Sequence, residues 1–356
     1  MSKEREVIFI IPNNDIGGSQ NFLKRLFNNI QIKNKSFFVE DLVSFGAFNF
    51  FNRVFSIYKK VKATSKKVAI ITTVNSMIPS SVCKLIFNNF FLISRLGNTL
   101  SAETKSNNFQ SFKLIFLHKF IFSVSDLIVF QSHSMKKDAL EVLGIKDSDK
   151  YIVINNGIDF FEISEKAKQE STDIVNADYF NFILLGSFKY QKAYDIFLEA
   201  IKLTEIDLLS EIRFYICGDN AFNDKIFEEF VEGLNESGLS QYVNLMGWIR
   251  NPYPLMKSMD AYILPSRYEG FPNSLIEALA LGLPSIVSRS PGANEEIVTD
   301  GFNGLTFENE NASDLSKQIL SLRNQIESFD STEIINDIKK RYEINNMANR
   351  YKELLV

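Results

Sequence analysis

Short apolar runs, each closed by a glycine or a polar turn and followed by a helical pattern, recur in two series along this chain. That alternation admits few folds. Val7–Pro12 reads as a buried parallel strand and Asp15-Ile16-Gly17-Gly18-Ser19 as a glycine loop. Phe22, Leu23, Leu26, Phe27 and Ile30 then fall on one helical face. Runs at Val68–Thr72, Phe91–Ser94, Leu127–Gln131 and Tyr151–Ile154 continue the first series, and the polar residues 162–179 read as a connection. The second series has strands at Phe182–Gly186, Arg213–Cys217, Val243–Gly247, Ala261–Pro265 and Pro284–Ser288. Its helices are expected at Tyr194–Leu203, Asp224–Gly233 and Asn273–Leu281. The pattern predicts an α/β chain of two doubly wound, Rossmann-like domains facing across a cleft, with ligands at the carboxyl ends of the strands. The domains are drawn at 1–165 and 166–335, with 336–356 as a C-terminal helix that packs back on the N-terminal domain.

A length of 356 residues is enough for two cores, and 45% hydrophobic with 23% charged residues is an ordinary globular balance. Cys83 and Cys217 lie far apart with no metal-ligand spacing near them, which suits a reducing compartment. The opening MSKEREVIFIIPNN has five apolar residues before Pro12, too few for a signal-peptide core. The apolar stretch 112–131 is broken by Lys113, His118, Lys119 and Asp126. The expected location is the cytoplasm, at the inner face of the cell membrane.

Charge is informative only when split. Residues 1–160 hold 21 Lys+Arg and 12 Asp+Glu, a net of +9, and residues 161–356 hold 18 and 31, a net of −13. The basic half is expected to meet an anionic membrane surface; nucleic acid is not an expected partner. Its clearest segment is Phe50–Lys67, where Phe50, Phe51, Val54, Phe55, Tyr58 and Val61 line one helical face among Arg53, Lys59, Lys60, Lys62, Lys66 and Lys67. An α/β helix buried against its sheet has the same pattern.

The most specific segment follows the strand Ala261–Pro265: Ser266-Arg267-Tyr268-Glu269-Gly270-Phe271-Pro272-Asn273-Ser274-Leu275-Ile276-Glu277. Gly270 permits close backbone approach to a ligand, and Pro272 suits the mouth of a helix. A helix N-terminus there offers N–H groups and positive potential to a phosphate, while Glu269 and Glu277 can accept hydrogen bonds from sugar hydroxyls. Taken alone, two such glutamates read as solvated surface residues.

Their context resembles the E-x7-E signature of the retaining GT-B glycosyltransferases of the large "family four" nucleotide-sugar group. Asp260-Ala261, Leu264-Pro265-Ser266, Glu277-Ala278, Gly282-Leu283-Pro284, Glu296-Ile297-Val298 and Asp300-Gly301-Phe302-Asn303-Gly304 all share in the resemblance, which is strong over 182–307. It implies that Glu277 binds the donor ribose and Glu269 lies by the transferred sugar. Gly270, Phe271, Asn273 and Ser274 then line the donor site.

Gly186-Ser187-Phe188-Lys189-Tyr190-Gln191-Lys192-Ala193 is similar to the family's Gly-Arg…Lys-Gly loop, which grips the donor diphosphate. Lys192 falls on the family lysine. Ser187 replaces the arginine and Ala193 the usual glycine, so one cation is missing; Lys189 is the nearest substitute and Arg267 a more distant one. Gly17 and Gly18 resemble the first-domain glycine loop that approaches donor phosphates and acceptor, although G-x-G-x-x-G is absent. Arg95-Leu96-Gly97-Asn98 reads either as a ligand-facing pair or as a capping Asn beside a surface Arg. His118 reads as structural, and neither it nor His133 is chosen as a base. No cluster has metal-ligand spacing, and Asp147-Ser148-Asp149 lies in a polar turn, so no metal site is expected.

The resemblance implies transfer with retention from a nucleotide diphosphate sugar, UDP-linked, to a saccharide or lipid-linked saccharide in bacterial surface polysaccharide synthesis. No cofactor is expected. Lys192 and Glu269 are the expected catalytic residues. Two rivals stay open: a catalytically silent nucleotide-binding subunit, suggested by Ser187, and a nucleotide-sugar epimerase of the same shape, which the E-x7-E loop argues against.

Overall fold

The computed structural model describes residues 6–11, 18–39, 47–64, 67–73, 76–104, 108–169, 175–219 and 224–355. The chain forms two compact units, Met1–Gly157 with Ile344–Val356, and Ile158–Glu343.

The first unit holds β1 (Glu6–Ile11), β2 (Lys35–Val39), β3 (Val68–Thr73), β4 (Phe90–Arg95), β5 (Leu127–Phe130) and β6 (Tyr151–Val153). All pair in parallel, in the order β2-β1-β3-β4-β5-β6. Both faces are covered, which is why the strands read as continuous apolar runs rather than alternating ones. Val7, Phe9, Ala69, Ile71, Ile93 and Val129 meet the helix Gly18–Asn29 and the last helix, Ile344–Glu353, which buries Met347, Ala348 and Tyr351. Ile8, Ile10, Ile70 and Leu92 point the other way, under Val54, Ile57 and Val61 of the helix Ala47–Lys62 and Cys83 of the helix Met77–Phe87. Further along that face, Ile128 and Phe130 meet Ile121 and Phe122 of the helix Asn108–Val124.

The apolar line expected from Phe50 to Val61 is therefore split. Val54, Ile57 and Val61 face the sheet, while Phe51 and Phe55, roughly a quarter turn round the helix, are exposed. No helix among the described residues is long and apolar enough to cross a membrane.

The second unit holds β7 (Phe180–Leu185), β8 (Ile212–Cys217), β9 (Val243–Gly247), β10 (Ala261–Leu264), β11 (Ser285–Arg289) and β12 (Gly304–Glu308), again all parallel, in the order β12-β11-β10-β7-β8-β9. The chain starts in the middle at β7, winds out through β8 and β9, and returns to lay β10 on the other side of β7. β7 and β10 thus flank the point where the winding reverses. In open α/β sheets the loops leaving the carboxyl ends at that point part and leave room for a ligand. The observed architecture is the expected α/β one, two Rossmann-like units.

Candidate active site

The loops after β7 and β10 carry the residues singled out in the sequence, and neighbouring strands bring them together. Gly186 closes β7, donating its N–H to Cys217 O at 2.9 Å and accepting from the Tyr194 hydroxyl at 2.6 Å. A short turn, Tyr190–Lys192, follows, and Ala193, at φ +54°, reverses the chain into the helix Tyr194–Lys202. A left-handed conformation at a non-glycine residue explains why glycine suits this position. The Lys192 stem lies across Gly186, where an added Cβ would stand 3.0 Å from Lys192 Cε.

The β10 loop is stitched to the β7 loop by Arg267. Its N–H donates to Gln191 O at 2.8 Å, and its guanidinium bonds Tyr190 O at 2.8 Å, both oxygens of Asp195 at 2.9 and 2.5 Å, and Glu310 at 2.6 Å. Burial opposes the charge, but the bonds to Asp195 and Glu310 outweigh it and hold the group above its ordinary pKa. Beyond this brace stands Glu269, buried. Lys192 Nζ donates to Glu269 Oε1 at 2.7 Å, and Gln191 Nε2 donates to Tyr268 O at 3.0 Å and to Glu269 Oε2 at 3.3 Å. The Glu269 backbone is fixed in turn, its N–H bonded to Pro291 O at 3.0 Å.

Lys189 stands within electrostatic reach of Lys192. Burial lowers its pKa, the neighbouring Lys192 ammonium lowers it further, and Asp219 acts the other way. Tyr262, wholly buried in β10, shares a 2.8 Å hydrogen bond with Ser274 Oγ. Its pKa is raised above all by burial, against the Ser274 hydrogen bond, and further by the charges of Glu269 and Glu277. Glu277 lies half-buried in the helix Asn273–Ala280, which Asn273 and Ser274 open. Two cations, two carboxylates and a helix start therefore gather at the switch point of one sheet.

Residues 180–325 match the family model described as Glycosyl transferases group 1. Over this segment the chain is similar to the group 1 glycosyltransferases. A glycosyltransferase of Methanocaldococcus jannaschii is 32% identical over 223 residues, 61% of this chain and 55% of that protein. The UDP-Gal:alpha-D-GlcNAc-diphosphoundecaprenol alpha-1,3-galactosyltransferase of Escherichia coli is 32% identical over 168 residues, 46% of this chain and 42% of that one. The chain thus aligns with about half the length of these relatives. The crystal structure of Anabaena HepE in complex with UDP matches with a TM-score of 0.81 at 15% identity, covering 98% of this chain and 99% of that one. The fold is that of the GT-B glycosyltransferases.

Other residues singled out in this segment also have packing roles. Arg267, considered as a substitute cation, is the brace between loops, its donors committed to Asp195, Glu310 and Tyr190. Phe271 turns into the core, edge-on to Tyr342 with ring centroids 5.5 Å apart. Gly270 is buried beside it, and Ser187 is half-buried. Gln191 and Tyr262 were not assigned roles from sequence. A lone polar handle in an otherwise apolar strand was the one signal for Tyr262, and Gln191 had only its place beside Lys192.

In the first unit, Gly18 opens the helix Gly18–Asn29, while Gly17 lies outside the described residues. Arg95 is neither a surface residue nor solvent-facing. It is wholly buried, 3.5 Å over the Phe22 ring, with Nη2 donating to Asn156 Oδ1 at 2.6 Å; burial pulls its pKa down to about 10, against the effect of Tyr351. Asn98 accepts from the Thr99 N–H, while Asp138 takes the first N–H groups of the following helix, those of Leu100 and Ser101. His118 is buried with Nδ1 on Leu114 O at 2.9 Å, and His133 is exposed at the start of its helix. Among the described residues no group of three His, Cys, Asp or Glu side chains is placed to hold a metal ion.

Proposed function

We propose that this chain transfers a glycosyl residue, with retention of anomeric configuration, from a UDP-linked sugar to a hydroxyl of a lipid-linked saccharide in bacterial surface polysaccharide synthesis. The observation that carries the reading is the Lys192–Glu269 pair, set with Lys189 where the β7 and β10 loops part. Breaking the bond to a nucleoside diphosphate builds negative charge on the leaving oxygen. Ammonium groups and helix N–H donors fixed beforehand stabilise that charge without reorganising. Lys192 meets the diphosphate, Lys189 stands in for the arginine absent at Ser187, and the start of the Asn273–Ala280 helix adds N–H groups through Asn273 and Ser274. Glu277 accepts from the ribose hydroxyls. Glu269 aims Lys192 and orients the transferred sugar.

The nucleotide and the acceptor rest on what similar proteins are named for. HepE was solved with UDP, and the Escherichia coli relative is named for UDP-Gal and a diphosphoundecaprenol-linked acceptor. The test is incubation of the chain with UDP-sugars and undecaprenyl-diphosphate saccharides in the presence of EDTA, followed by product analysis by NMR. An axial product linkage from an axial donor supports retention without a metal; no product from any UDP-sugar, or inversion, overturns the reading.

A further inference from the structure

One face of the first unit is built from helices that carry none of the candidate site residues. The helices Ala47–Lys62, Met77–Phe87 and Asn108–Val124 lie side by side over one face of its sheet. Tyr58 of the first stacks on Phe87 of the second, ring centroids 3.9 Å apart. Each helix already buries an apolar stripe inward. Outside those stripes, Phe51, Phe55, Leu85, Ile86, Phe112 and Phe116 are 52–71% exposed. Apolar side chains of this size, grouped on adjacent helices, mark a surface that something covers.

Charge says what covers it. The three helices carry Arg53, Lys59, Lys60, Lys62, Lys84, Lys113 and Lys119, and no Asp or Glu. Between Asp41 and Asp126 the whole sequence has one acidic residue, Glu103. Lys84 turns inward to Asp126, 2.9 Å away. Elsewhere cations and rings interleave: Lys59 Nζ lies 4.6 Å over Phe55, and Lys62 Nζ 5.7 Å over Tyr58. Lysines whose stems run along aromatic rings, with no acid among them, have the composition of an interfacial surface. A second copy seated on the same face would set like charges against like charges.

We propose that this three-helix face docks on an anionic lipid surface, its exposed aromatic and aliphatic side chains entering the boundary between headgroups and acyl chains and its lysines meeting lipid phosphates. The proposal does not depend on the transfer reaction and can fail or stand without it.

The experiment is co-sedimentation of the full chain with vesicles of phosphatidylcholine and phosphatidylglycerol in equal parts, against phosphatidylcholine alone. One variant carries Phe112→Ser and Phe116→Ser, another Lys59→Gln, Lys60→Gln and Lys62→Gln, each checked by circular dichroism and melting temperature. The wild type is expected to pellet with the mixed vesicles at low salt, and tenfold or more weakly with phosphatidylcholine alone. In about 1 M salt, where the Debye length is about 3 Å, binding to the mixed vesicles should drop at least tenfold. A basic residue at an anionic leaflet contributes about fivefold at most, so the triple lysine variant should bind ten- to a hundredfold more weakly. The double phenylalanine variant should lose at least tenfold. A wild type left in the supernatant at low salt, or folded variants that pellet like it, overturns the proposal. So does a wild-type dimer in the ultracentrifuge that the Phe112→Ser change dissociates, since the occupant is then a second copy. If a variant fails to fold, the lipid and salt comparisons on the wild type decide.

Discussion

Lys192 and Glu269, 77 residues apart in the chain, meet as a 2.7 Å ion pair with most of both side chains shielded from water. Their meeting follows from β7 and β10 lying side by side at the centre of the second sheet. Shielding two charges costs desolvation that their attraction does not always repay, so such a pair is weak evidence of a stabilising device. Under the proposed function, it is a cation held in place before the donor arrives, and the carboxylate would share Lys192 with the incoming diphosphate.

That reading separates stability from turnover. Lys192→Met leaves Glu269 shielded and uncompensated, and is expected to lower unfolding stability by at most about 3 kcal/mol, since both groups keep some solvent. Turnover should fall on the order of a hundred- to a thousandfold, the usual cost of losing one preorganised donor to a developing charge. Adding Glu269→Gln removes the stranded charge, so the double variant should regain most of the stability and none of the turnover. Urea unfolding and kcat on the same preparations check this. Turnover that recovers along with stability would make the pair merely structural.

Glu277 tests the other half of the proposed donor site. A hydrogen bond to a charged group contributes about 1.5–3 kcal/mol, so Glu277→Ala should weaken UDP binding roughly ten- to a hundredfold by calorimetry. The residue is half-buried, and the melting temperature should change little. Unchanged affinity would remove Glu277 from the nucleotide site.

Lys189 should make donor binding pH-dependent at unusually low alkalinity. Its pKa lies below the ordinary lysine value because of burial and of Lys192. The free site therefore loses that proton, and its attraction for the diphosphate, before an ordinary lysine would. For folding the sign is opposite. Between the lowered folded value and the ordinary unfolded one, the unfolded chain binds more protons, so this group's contribution to stability rises with pH there. In Lys189→Arg the charge persists, and nucleotide affinity should hold over the same alkaline window. Comparing the two proteins at each pH cancels the titration of the nucleotide itself. Parallel pH profiles would leave Ser187 uncompensated, in which case Ser187→Arg should raise activity.

The strands of the second unit were legible because each is a short apolar run with a polar or glycine stop; β10 is Ala-Tyr-Ile-Leu between Asp260 and Pro265. β2 was missed, since Lys35–Val39 offers three apolar residues in a row and no flanking glycine. β12 was missed because Gly304–Glu308 begins at the last residue of the Asp300–Gly304 motif and alternates apolar with polar residues. The roles of charged residues were less legible than the strands. Arg267 and Lys192 look alike in the sequence as cations near a loop. One is a brace because Asp195 and Glu310 come to it through tertiary packing, which no local pattern records. Phe51 and Phe55 likewise count as apolar on a helical stripe, yet the sheet takes Val54, Ile57 and Val61 and leaves them outside.

Glu269 owes its place to a residue with no chemistry of its own. Gly292 has φ +127°, and a Cβ there would stand 1.7 Å from Glu269 O. Gly292→Ala should therefore incur both left-handed strain and a backbone clash, together roughly 2–6 kcal/mol. The clash is relieved only by moving the strand of chain that carries Glu269, so turnover should fall with stability. Gly301 supplies the control. It has φ +75° with nothing within 4 Å of an added Cβ, so Gly301→Ala incurs the strain alone, about 1–2 kcal/mol. Its kcat should stay near the wild-type value. Thermal unfolding and kcat for the two variants check the argument. If Gly292→Ala behaves like Gly301→Ala in both measurements, the loop yields without disturbing Glu269, and the close approach at Gly292 does not set the geometry of the site.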